Sequence, residues 1–102
     1  MAKRKIIWSA RAESELRHVL GFYINRNGNT NYSTKLLDKT EKIVSLLTNY
    51  PELGHLTENK ITRVVVKGEF MILYEVSDLF IEIVSFWDGR QDPNKRIDFV
   101  KE

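Results

Sequence analysis

The feature that most constrains this chain is a change of hydrophobic period just past its midpoint. Up to "LLTNY", apolar residues recur every three or four positions. From "ITRVVV" onward they are β-branched or alternate, as in "FMILYEV". The first spacing builds amphipathic helices and the second builds strands with one buried face. In the second half Phe70, Ile72, Tyr74 and Val76 share one face. Lys67-Gly68-Glu69 and Ser77-Asp78 supply tight turns, and "LFIEIVSFW" forms the last strand. Strands joined this closely pair antiparallel, as a meander.

The first half has its own punctuation. Lys5 to Trp8 reads as a short strand, and Ser9 sits where a helix N-cap belongs. Glu13 falls in the first turn, where a negative charge suits the helix dipole. Ala12, Leu16, Val19, Leu20, Tyr23 and Ile24 make the apolar stripe of this helix, and Gly28 in "NRNGN" ends it. A second helix starts near Asn29 to Asn31 with Thr30 as cap. Tyr32, Leu36, Ile43, Leu47 and Tyr50 lie on one side, widened by Val44 and Leu46. Pro51 in "YPELG" stops it. The predicted fold class is therefore α+β, in the order β-α-α-β-β-β. A helical hairpin packs on a small, mainly antiparallel sheet of four strands, with the short Lys-rich first strand at an edge. The tail "NKRIDFVKE" reads as a last helix or strand whose Ile97, Phe99 and Val100 need apolar cover.

Length and charge limit what such a domain does. The 102 residues suit one domain, 1–102, with a single core. Without cysteine there is no disulfide framework and no thiolate metal site. No His, Asp or Glu cluster has metal-ligand spacing, and no glycine-rich phosphate loop is present, so neither metal nor cofactor is expected. A net charge of +2 does not favour generic binding to nucleic acid. "MAKRKIIWSA" lacks the apolar length of a signal peptide, and no stretch approaches the roughly 20 apolar residues of a membrane span. The expectation is a cytoplasmic protein with no membrane partner.

The motifs then carry a resemblance. "WSARAESELRHVLGFYI", "YPELGHL", "ITRVVVKGEFMILYEV" and "IEIVSFWDGRQDP" resemble, in that order, the RelE/ParE family of bacterial toxins from type II toxin–antitoxin pairs. The likeness covers nearly the whole chain. It lies in an aromatic and alanines opening helix one, Pro-x-x-Gly after helix two, an arginine in the next strand, a Tyr late in the following one, and Asp-x-Arg-x-x-Pro after the last. It implies a cognate antitoxin and one of two targets. ParE-like members poison DNA gyrase, whereas RelE-like members cut mRNA on the ribosome. A third alternative is a non-toxic member that only binds its antitoxin.

Cutting RNA through its own 2′-hydroxyl needs a base, an acid and cations on the phosphate. The two histidines, His18 inside helix one and His55 after Pro51, both read as structural or solvated. Arg63 and Arg90 stand where the resemblance places arginines, as contacts to a phosphate or another target. Against that, Arg63 pairs equally well with Glu75 or Glu82, and Arg90 with Asp88 or Asp92. Lys60 and Lys67 flank the second strand as phosphate contacts or solvated lysines. Trp87, beside Asp88 at the end of the last strand, stacks on a base or closes the core. The expected working surface is the sheet side away from the helices, with its guanidinium groups free. The thin catalytic inventory favours gyrase binding over RNA cleavage.

Overall fold

The computed structural model describes residues 3–89. Arg90 and the tail with Ile97, Phe99 and Val100 lie outside the described residues. The elements run β1 (Lys5–Trp8), α1 (Ala10–Asn27), α2 (Asn31–Leu47), β2 (His55–Leu56), β3 (Thr62–Lys67), β4 (Phe70–Val76) and β5 (Phe80–Asp88). They form a five-stranded sheet in the order β1-β5-β4-β3-β2. β1 pairs with β5 in parallel and all other pairs are antiparallel. The expected sheet of four strands thus gains a fifth, β2, only two residues long. It is held by the turn that follows it, where Asn59 Oδ1 accepts from the N–H groups of Ile61 and Thr62, both at 2.8 Å.

Local chemistry sets the helix ends. Ser9 Oγ accepts the Ala12 N–H at 3.0 Å, one of the donors that the first turn leaves without a helical partner. α1 ends on Gly28 at φ 74°, a left-handed conformation that glycine adopts without a Cβ penalty. Thr30 precedes α2 without a side-chain cap; Asn29 serves instead, its Oδ1 accepting the Asn31 N–H at 3.0 Å.

The hairpin covers one sheet face. Ala12, Leu16, Val19 and Tyr23 of α1 join Leu36, Val44 and Leu47 of α2 over Phe70, Ile72, Tyr74, Ile81, Ile83 and Phe86. The α2 stripe is narrower than the sequence suggests. Thr40 is buried in it, its hydroxyl donating to the Leu36 carbonyl at 2.8 Å, while Leu46 and Tyr50 face solvent. β5 carries one residue more than β4 where the register shifts: Leu73 faces Ser85 and Tyr74 faces Ile83, so Val84 is extra. Glu15 reaches across from α1 to this irregularity. Its Oε1 accepts the Ser85 hydroxyl at 2.8 Å and the Phe86 N–H at 3.0 Å.

Candidate functional site

The side of the sheet away from the helices is not the open cationic surface that the sequence suggests. Val64, Met71 and Leu73 are buried there, with Val84 and Trp87 packed on them. Arg63 does not project from that side either. It stands opposite Tyr74 on β4, and Tyr74 belongs to the core beneath the helices. Cross-strand partners point the same way, so Arg63 shares the helix-side face at its outer flank.

There Arg63 and Tyr74 converge on the loop after α2. Arg63 Nη1 donates to the Gly54 carbonyl at 2.7 Å. The Tyr74 hydroxyl donates to the Pro51 carbonyl at 2.7 Å and accepts the Gly54 N–H at 2.8 Å. A Cβ on Gly54 would stand 2.7 Å from the Val64 carbonyl oxygen and 2.9 Å from Tyr74 Cε1, so only glycine lets the loop lie this close. Three features that carried the family resemblance, the Pro-x-x-Gly segment, the arginine and the late tyrosine, therefore form one hydrogen-bonded unit. Burial pushes the Tyr74 phenol above its ordinary value of 10.0. The Gly54 hydrogen bond and the Arg63 charge oppose this, and Glu52 adds to it. Tyr74 is thus a neutral donor at physiological pH.

The alternative pairing of Arg63 with Glu75 or Glu82 is not formed. Among the described residues the ion pairs are Arg11–Glu15, Arg17–Glu13 and Lys42–Asp38. Glu75 instead accepts the Thr62 hydroxyl at 2.8 Å. The other candidates scatter. Lys60 is exposed, at φ 62° in the turn before β3, and Lys67 is exposed at the far end of that strand. Trp87 packs on the second sheet face, as its core reading has it, and Asp88 is buried, at 1% exposure. His18 on α1 and His55 on β2 are both exposed, on separate elements. Among the described residues no group of three or more His, Asp or Glu is placed to hold a metal ion. No described helix is long and apolar enough to cross a membrane.

What the loop does present is apolar. Tyr50 is 61% and Leu53 49% exposed, beside a depression of about 390 Å³ lined by residues 49–53. Neither residue stood among the sequence candidates. The signal for them was their place either side of Pro51, in a segment too irregular to bury both.

The match that decides kinship is to a family model described as the ParE toxin of type II toxin-antitoxin system, parDE, over residues 6–93. The chain belongs to the ParE toxin family. A solved structure titled the chromosomal ParDE TA system from P. aeruginosa shares the fold of this ParE-family chain, with a TM-score of 0.73 at 17% identity. The likeness covers 84% of this chain and 96% of that one. No curated protein is a significant match to this ParE-family sequence.

Proposed function

We propose that this ParE-family chain is a cytoplasmic, growth-inhibiting toxin that acts by binding DNA gyrase rather than by cutting RNA, and that a cognate antitoxin neutralises it. The observation that carries the reading is how Arg63 and Tyr74 are used. A nuclease needs cations and proton-transfer groups directed at one phosphate. Here the guanidinium of Arg63 and the phenol of Tyr74 are both directed at the Pro51–Gly54 backbone. The phenol stays protonated and buried, which disqualifies it as a base.

The same bonds support binding in its place. They fix from below a loop whose outer side shows Tyr50 and Leu53. A large aromatic and an aliphatic side chain on a rigid backbone suit a protein target, because little freedom is lost on docking.

Purified protein tested in two assays decides the matter. With gyrase and relaxed plasmid, supercoiling should fall and cleaved DNA complexes accumulate. Tyr50→Ala with Leu53→Ala should relieve the inhibition while leaving the unfolding midpoint nearly unchanged, as both side chains are exposed. With ribosomes and message, transcripts should stay intact. Cut message with untouched gyrase would replace this reading by the ribosome-dependent ribonuclease. Inertness in both assays, with antitoxin binding retained, would leave the non-toxic member.

A further inference from the structure

Between α2 and the β3–β4 turn lies a depression of about 260 Å³ that the loop described above does not touch. Its floor is apolar, made by Tyr32, Leu36 and Phe70. Leu36 and Phe70 are buried, and Tyr32 is half-buried with its ring 4.6 Å from that of Tyr23. Around it stand Lys35 and Lys39 from α2 and Lys67 from the end of β3, against the single acidic residue Glu69.

Three other cations of the helical hairpin are paired where these lysines are not. Arg11, Arg17 and Lys42 each have a carboxylate one helical turn away, at 3.2 to 3.3 Å. Such pairs favour the helix, whereas like charges at that spacing oppose it. Lys35 and Lys39 are one turn from each other, and among the described residues neither forms an ion pair, nor does Lys67. The sequence therefore holds three cations together over an apolar floor, with Glu69 as the one acidic residue in its lining.

We infer that this depression receives an acidic segment of a partner protein. One large apolar side chain sits on Tyr32, Leu36 and Phe70, with carboxylates beside the three lysines. Charge complementarity at the rim sets specificity and the rate of encounter, and the apolar floor anchors. Nucleic acid fits less well, because a phosphate backbone needs a run of cations rather than a floor of aromatic and aliphatic carbon, and the net charge is only +2. The inference rests on the toxin reading only in taking that partner to be the neutralising antitoxin.

The test uses the full chain and a fluorescein-labelled peptide, acetyl-Glu-Glu-Leu-Phe-Glu-Glu-amide, followed by anisotropy and by amide chemical shifts at low salt. Binding is expected, with shifts at Tyr32, Leu36 and Phe70. Lys35→Gln, Lys39→Gln and Lys67→Gln combined should weaken it about tenfold, the sum of three rim charges at a fraction of a kcal/mol each. A peptide with Gln for every Glu should lose as much, and one with Ala for Leu and Phe should not bind. Lys39→Gln alone, with its unfolding midpoint checked, covers a failure of the triple variant to fold. No binding, binding indifferent to the lysines, or displacement of the peptide by short duplex DNA would overturn the inference. Gyrase takes no part in these measurements. Peptide binding beside unaffected gyrase would leave the pocket standing and remove the gyrase reading, and the opposite pair of results would do the reverse.

Discussion

Arg63 and Tyr74 face each other across β3 and β4 and hold Gly54 from both sides of its backbone. The arginine donates to its carbonyl at 2.7 Å, and the tyrosine hydroxyl accepts its N–H at 2.8 Å. The loop after α2 is therefore fastened to the middle of the sheet, and the expected consequences can be ranked.

Gly54→Ala should be the most damaging small change in the loop. Its methyl would meet the Val64 carbonyl oxygen at 2.7 Å, a backbone atom that cannot swing aside. Overpacking of this kind costs about 1–3 kcal/mol, and the loop would lift from Tyr74 as well. The urea unfolding midpoint should drop clearly, and a wild-type midpoint would show that the loop is not held so close.

Tyr74→Phe should cost more than Arg63→Ala. Removing the hydroxyl strands the buried Gly54 N–H and takes a donor from the Pro51 carbonyl, a loss of about 1–3 kcal/mol. Removing the half-buried guanidinium exposes the Gly54 carbonyl to water that can replace it, a loss of about 1 kcal/mol or less. Because both act on one residue, the double variant should lose less than the two single losses added together. Strict additivity in the midpoints would mean that the two contacts are independent.

Alkaline pH should loosen the same unit. The Tyr74 phenol titrates above its ordinary 10.0 in the folded chain, chiefly because it is buried. Between the unfolded and folded values the native state keeps a proton that the unfolded chain has lost, so stability falls as pH rises. The contribution is whole below about pH 10 and disappears as pH climbs through the folded value. Wild type should lose stability above pH 10 more steeply than Tyr74→Phe, and parallel curves from the two would refute the assignment.

Periodicity made the elements legible but not their partnerships. The Ser9 cap, the Gly28 stop and the alternation from Phe70 to Val76 are local signals, and the structure has all three. β2 was not legible, because two residues show no period. Helical spacing puts Tyr50 in the α2 stripe, but α2 ends at Leu47 and leaves it outside. The placement of Arg63 failed for a different reason. An arginine among β-branched residues shows neither which face it shares nor that its partner is a carbonyl nine residues earlier. The resemblance named Pro51, Gly54, Arg63 and Tyr74 without saying that they touch.

Glu15 offers a test of the junction between helix and sheet. Its Oε1 accepts from Ser85 and from the Phe86 N–H where β5 carries its extra residue. Glu15→Ala leaves both donors without that acceptor and should cost about 2 kcal/mol, whereas Glu15→Gln keeps an acceptor oxygen and should cost less than half as much. Equal losses from both would mean that charge, not acceptance, matters here.

Trp87 distinguishes support from target contact through two substitutions. Its ring packs on the second sheet face, and its Nε1 is buried without a hydrogen-bond partner among the described residues. Trp87→Phe removes that stranded donor, a gain of about 1–3 kcal/mol, and leaves a modest cavity that costs about 1 kcal/mol. Stability should stay level or rise. Trp87→Ala empties the site and should cost about 3–5 kcal/mol. If the side chain only supports the sheet, the phenylalanine variant and the wild type should give the same result in a growth-inhibition assay, at equal abundance. A phenylalanine variant that is stable but harmless would show that the indole itself meets the target.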